Sequence, residues 1–303
     1  MKQQKIWKSF QEQLEILKNR GLVIENEKKA LGYLKTIGYY RLSGYLYSFR
    51  QFDPNNPKSR LDDFIPNSRF EDVKQLYIFD KKLRQLALDA LERIEIALRV
   101  NLAYTLGQCD PLAYQKAQFF DPSFDHQKWL DKYQNLIHRE SESSFVKHHL
   151  QHYGHLPIWA AGEIWDFGTL SMLYKGMLEK DKDRVAKIYH LKNGKHLQTH
   201  LHAFNFIRNV SAHHSRLWNK AIIFKANIKG LHEVQWKQLH ATQPFLYFCL
   251  MKRMLDVICP NSTWGERFLA LLQTFPTVEN QAISLQQMGV TVDLNDWNLW
   301  KKP

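Results

Sequence analysis

Between Arg208 and Arg216 the chain sets two arginines, a carboxamide and two histidines within nine residues, with Phe204, Phe206 and Ile207 before them and Leu217 and Trp218 after. Few other stretches of the 303 residues concentrate groups that can do chemistry. These types suit cleavage of a phosphodiester beside a free hydroxyl, as in RNA. The reaction needs a base for the 2′-OH, an acid for the leaving 5′ oxygen and a cation for the charge that gathers on phosphate. Imidazole, with an unperturbed pKa of about 6.5, serves as acid or base near neutrality. Guanidinium stays protonated and grips phosphate oxygens in pairs. His213 is therefore the candidate acid/base and Arg208 the candidate phosphate stabiliser. Asn209 is suited to fix the His213 tautomer or to hold a phosphate. His214 and Arg216 are further candidates for RNA contact; a structural or solvent-facing place for His214, and pairing with an acid for Arg216, are the competing readings. The set requires no metal and no organic cofactor.

Positioning falls to a helix. Leu197 to Leu217 contains neither Pro nor Gly and is expected to be helical throughout, entered through a turn at Asn193-Gly194. On it Asn209 and His213 share a face at a spacing of four, and His213 and Arg216 are neighbours at three. Arg208 lies about 140° from His213 around the axis. Groups that are close but differently aimed suit a site completed by a second copy of the same helix across a two-fold axis, so a homodimer is expected.

The remaining elements also read as helices. Ser9 and Glu12 form a capping box for a helix ending at Gly21, and a second helix runs from about Glu27 to Ile37. Tyr39-Tyr40-Arg41-Leu42-Ser43-Gly44-Tyr45-Leu46-Tyr47 surrounds one arginine with four tyrosines, either packing a helix junction or stacking RNA bases. Arg41 and Arg50 are candidates for phosphate contact. Asp53 to Ser68, rich in Pro, Asn and Asp, is expected to be a loop. A long helix follows from Ser68 to about Leu106, with Val73, Leu76, Leu83, Leu86, Ala90, Leu91, Ile94 and Leu98 on one apolar face. Glu163 and Asp166 sit in an aromatic setting after Pro157, and Thr169 is the expected cap of the next helix. They orient His213 or Arg208 if that helix packs beside the motif; otherwise they are solvated acids. Pro244 to Ile258 reads as a buried helix, Thr263 to Leu272 as another, and Trp297 and Trp300 must pack or mark a contact. The histidines between His148 and His155 lack nearby ligand partners, and His196 and His200 lack the Glu of a HExxH site, so no metal site is expected.

Arg208 to His213 resembles the Arg-x(4–6)-His signature of the HEPN superfamily of metal-independent ribonucleases. The wider chain resembles the Abi-like abortive-infection proteins of the AbiD/AbiF group. The segments that carry this are Ser9 to Leu22, Leu34 to Tyr47, Leu91 to Arg99, Leu156 to Tyr174 and the Arg208 motif, together spanning about residues 9–220. The resemblance implies an all-α HEPN-like helical bundle and an anti-phage, toxin-like endoribonuclease. It implies, too, an acid on a neighbouring helix that supports the motif. Glu95 is the candidate, although an ordinary i,i+4 pair of Glu95 with Arg99 competes with that role. Arg99 is itself a candidate RNA contact.

Composition is compatible with this reading. Hydrophobic residues make up 44% and charged residues 24%, a globular balance. No apolar run nears the roughly 20 residues that span a bilayer, and the basic start MKQQKIWKSF lacks the apolar core of a signal peptide. Three cysteines in no zinc spacing imply reduced thiols in a cytoplasm. The net charge is +12. Residues 1–68 carry 12 Lys and Arg against 7 Asp and Glu, residues 69–225 carry 23 against 17, and residues 226–303 carry 7 against 6. The excess lies in the two parts up to and including the motif, and a basic surface attracts nucleic acid. Three parts are expected: an N-terminal helical region over 1–68, the motif-bearing core over 69–225 and a C-terminal helical extension over 226–303. The alternative function is a non-catalytic protein that holds a structured RNA, such as a small non-coding antitoxin-like RNA, through its basic face.

Overall fold

The computed structural model describes residues 6–301; the first five residues of the basic N-terminal stretch and the last two of the chain lie outside it. Among the described residues, 62% are helical, in thirteen α-helices with one small two-stranded sheet. The all-α expectation holds. In order come α1 (Phe10–Asn19), α2 (Glu27–Thr36), α3 (Tyr39–Leu46), strands β1 (Arg50–Asp53) and β2 (Asn56–Phe64), α4 (Phe70–Gly107), α5 (His126–Arg139) and α6 (Ser144–Tyr153). Then follow α7 (Ile158–Ala161), α8 (Phe167–Gly176), α9 (Glu179–Ile188), α10 (Gly194–Ala212), α11 (Val234–Gln238), α12 (Pro244–Ile258) and α13 (Trp264–Gln273).

The organising element is α4, 38 residues long. Its apolar face buries Val73, Leu76, Leu83, Ala87, Ala90, Leu91, Ile94, Leu98 and Leu102. That face contacts α3, α7, α9, α10, α12 and α13, so one helix joins the N-terminal, motif-bearing and C-terminal helices. A stripe recurring every three to four residues for ten turns is what lets a single helix do this. The capping box of α1 is present: Ser9 Oγ accepts from Glu12 N–H at 3.2 Å, and Glu12 accepts from Ser9 N–H at 2.7 Å. At the C-terminal end Trp297 and Trp300 pack inward. Trp297 meets Trp236 edge to face at 4.9 Å, and both indole N–H groups donate to Glu233. Trp300 stacks on Phe268 at 5.1 Å.

Three local expectations change. The stretch 53–64, expected as loop, is mostly a hairpin: β1 and β2 pair antiparallel with Arg50 opposite Phe64 and Asp53 opposite Asn56. The loop-like residues make its tip, where Asp53 accepts from Asn55 N–H at 2.9 Å. The ribbon shows no period-two signal because it is solvated on most of both faces. Helix α8 is capped by Asp166, which accepts from Thr169 N–H at 2.7 Å, rather than by Thr169. Helix α10 ends at Ala212, five residues before the expected Leu217. Residues 221–226 are neither strand nor helix. Among the described residues no helix is long and apolar enough to cross a membrane.

Candidate functional site

Helix α10 starts where the sequence indicates. The Asn193 side chain accepts from His196 N–H at 3.2 Å and caps it. Its inner face, Leu197, Leu201, Phe204 and Ile207, is buried and packs on α4, α8 and α9. His196 and His200 also turn inward. Their Nε2 atoms donate to the carbonyls of Lys229 at 2.7 Å and Asn227 at 3.0 Å. Burial pushes His200 down to about 4, so it is neutral near pH 7. Both imidazoles bind backbone carbonyls, and among the described residues no group of His, Cys, Asp and Glu could hold a metal ion.

The outer face of α10 carries His202, Asn205, Phe206, Asn209 and His213 at spacings of three and four, which is one stripe on a helix. Arg208 lies to the side of this stripe and reaches Asn209 Oδ1 at 3.5 Å. It has no ion pair among the described residues. His213 and Asn209 are exposed. The His213 ring has no hydrogen-bond partner within the described chain.

The helix stops immediately after its motif. His213 is the C-cap; His214 takes φ +56°, the left-handed conformation. Ser215 N–H donates to Val210 at 2.9 Å and His214 N–H to Ser211 at 3.1 Å. This is a Schellman ending with histidine where glycine is usual. Residues 214–218 beyond it are clamped. Fully buried Asp80 on α4 accepts from Leu217 N–H at 3.1 Å, Trp218 N–H at 2.7 Å, Tyr45 O–H at 2.6 Å and Arg84. Arg41 donates to the His214 carbonyl at 2.6 Å, and Arg216 donates to the Gly44 carbonyl. Burial pushes Asp80 upward, against Arg84 and the hydrogen bonds it accepts. Five side chains from α3, α4 and the clamped segment itself thus hold the chain just past His213.

Beside Arg208 lies Glu95 of α4. It pairs with Arg99 at 2.5 Å, and Arg99 also donates to the carbonyls of Trp165 at 2.5 Å and Glu163 at 3.4 Å. Burial raises the Glu95 carboxyl; Arg99 and then Arg208 oppose this, and the Asp166 charge adds to it. Glu95, Arg99, Asp166 and Arg208 are therefore within electrostatic reach of one another. Exposed Glu163 lines a groove of about 350 Å³ with Arg99, Val100, Tyr104 and Trp159. Arg50 pairs with Asp62 at 2.8 Å in the hairpin, in a different part of the fold. Of the tyrosines around Arg41, Tyr45 is buried on Asp80 whereas Tyr40 is 91% exposed.

Sequence reasoning missed Asp80, whose signal was a charge on the apolar face of α4, and the cleft beside the motif. That cleft, of about 550 Å³, is lined by Lys132, Asn135, Arg139, Asp166, Met172, His202 and Asn205, among others. Its signals were the outward stripe of α10 continued back to His202, and the i, i+3, i+7 spacing of Lys132, Asn135 and Arg139.

The fold is an all-α bundle built on one long helix, with a half-buried Arg and an exposed Asn and His at the end of a second. The sequence model of the family described as Abi-like protein matches residues 32–219, more than half of the chain, and the protein belongs to that family. Membership makes it an abortive-infection protein, the class that acts in phage defence. No curated protein and no solved structure matches the chain.

Proposed function

We propose that this abortive-infection protein is a metal-independent endoribonuclease of HEPN type that acts as a toxin in phage defence. The observation that supports this most is the last turn of α10, where Asn209 and His213 are exposed, half-buried Arg208 reaches Asn209 and makes no ion pair, and the His213 ring makes no hydrogen bond among the described residues. Polar groups left free on a rigid helix end are available to a ligand. In this reading His213 takes the proton of a 2′-OH as that oxygen attacks phosphorus. The P–O5′ bond breaks, a protonated imidazole supplies the proton to the leaving oxygen, and a 2′,3′-cyclic phosphate remains. Arg208 stabilises the charge on the non-bridging oxygens, and Asn209 positions the groups. Glu95 holds Arg208 electrostatically.

One copy offers one imidazole, whereas the reaction uses a base and an acid. A second copy related by a two-fold axis supplies the other. Exposed Ile96, Val100, Tyr104 and Trp159, beside Arg99, form an apolar surface that supports such a homodimer. Sedimentation as a monomer at the assay concentration would remove the paired site.

The test is cleavage of total RNA in EDTA by wild type and by His213→Ala. Wild type is expected to cleave. His213→Ala is expected to lose at least about 100-fold in rate while its melting temperature stays unchanged, because the side chain is exposed. An active His213→Ala protein would sink the mechanism. Salt-dependent binding of intact RNA by both proteins, with no cleavage, would favour the non-catalytic RNA holder instead.

A further inference from the structure

The cleft beside the motif is built by three helices. Helix α5 presents Lys132, Asn135 and Arg139 on one face. Helix α8 contributes Gly168, Thr169, Ser171 and Met172 near its N-terminus, and α10 contributes His202 and Asn205. His202 and Asn205 belong to the same outward stripe as Asn209 and His213, so the cleft floor runs directly into the motif.

Its charge is arranged for an anion. Lys132 has only the Met172 sulfur as a partner, at 3.0 Å, and Arg139 has no ion pair or hydrogen bond among the described residues. The one acid on the wall, Asp166, is already turned to the backbone N–H of Thr169. Elsewhere in the chain many surface cations do have carboxylate partners, among them Lys8, Lys18, Arg69, Lys147 and Arg267. The cleft also holds a prepared ring. His202 is stacked on Phe224 at 3.8 Å, which fixes its plane, and Phe206 meets the same phenyl edge to face at 5.6 Å. An oriented ring in one cleft with cations that have no carboxylate partner is an arrangement that takes a base and its phosphate together. The volume suits one small group rather than a double helix.

We propose that this cleft binds a nucleotide of single-stranded RNA adjoining the bond to be cut, with Lys132 and Arg139 on its phosphate and His202 against its base. This rests on the ribonuclease reading and deepens it: the strand lies along the outer stripe of α10, and the cleft sets where it is cut.

The test uses the full-length protein, a single-stranded RNA 12-mer, and the same RNA as a duplex. Lys132→Ala with Arg139→Ala is compared with wild type and with Lys28→Ala with Lys35→Ala, which removes equal charge from α2. The cleft variant is expected to raise KM for cleavage about ten-fold or more with kcat within about three-fold. It is also expected to lower the salt slope of binding by about 1.4, two single-strand phosphate contacts. His202→Ala is expected to weaken binding, and His202→Phe, which keeps a ring, to restore most of it. All three side chains are exposed, so the variants should fold, and circular dichroism melting checks this. Should a variant melt early, crosslinking of wild type to 4-thiouridine RNA decides instead, with crosslinks required in the α5 or His202 peptides. Cleavage by wild type with KM and salt slope unchanged in the cleft variant would overturn the cleft alone. Equal affinity for the duplex would overturn single-strand selection. A wild type that neither binds nor cleaves RNA would overturn both the cleft and the ribonuclease reading.

Discussion

Along α10 the polar side chains fall into two groups. In the first half, His196 and His200 turn inward and each donates to a backbone carbonyl of the 227–229 segment. In the last turn, Asn209 and His213 turn outward, Arg208 reaches Asn209 beside them, and no backbone carbonyl takes up any of the three side chains. Immediately after His213 the pattern reverses again, because Arg216, Arg41, Arg84, Tyr45 and Asp80 are all spent on tying down residues 214–218. Histidine occurs in the first two places and arginine in the last two, so residue type does not separate framework from site. What separates them is whether a remote backbone group lies within reach. Where one does, the side chain closes the fold. Where none does, it is free for a ligand.

The sharpest way to break this contrast is at Asp80. Asp80→Ala leaves Arg84, Tyr45 and two backbone N–H groups buried without their acceptor, and should cost about 3–5 kcal/mol in urea unfolding. A cost below about 1 kcal/mol would mean that the segment after the motif is held by something else.

His200 comes next. Its folded pKa is about 4, below the unfolded value of about 6.5. Protons therefore bind the unfolded chain first as the pH falls. The contribution is fully present above about pH 6.5 and drains away down to about pH 4, to a total of about 3 kcal/mol. His200→Gln should flatten the stability profile across that window. An unchanged profile would show that His200 is not the titrating group.

The smallest effect is at His214, whose left-handed backbone costs any side chain something. His214→Gly should raise stability by about 0.5–1 kcal/mol and leave RNA affinity unaltered. Lost affinity with unaltered stability would move His214 from the helix ending to the RNA surface, and so sharpen where the site begins.

The readable parts of the sequence were those whose partners lie within a few residues. The Ser9–Glu12 box, the entry to α10 at Asn193-Gly194 and the apolar stripe of α4 all formed as their local sequence implies. The hairpin was hidden because a two-stranded ribbon open to water needs no alternation, and the tip residues that do show read equally as loop. The end of α10 was hidden for a different reason. No glycine or proline marks it; the chain leaves the helix to meet Asp80, 137 positions earlier. Of the RNA-contact candidates, Arg41, Arg99 and Arg216 have their hydrogen bonds inside the fold; the Glu95 partner of Arg99 is legible at i,i+4, but the distant backbone carbonyls that all three reach are not.

The sequence by itself determined that this protein is helical, which faces of its helices are buried and where residues able to do acid/base chemistry are concentrated, because periodicity, caps and residue type act over a few residues. Only the tertiary structure decided which of the chemically able groups remain free. That depends on which carbonyls and carboxylates from distant segments come within about 3 Å of them, and such meetings are set by packing around α4.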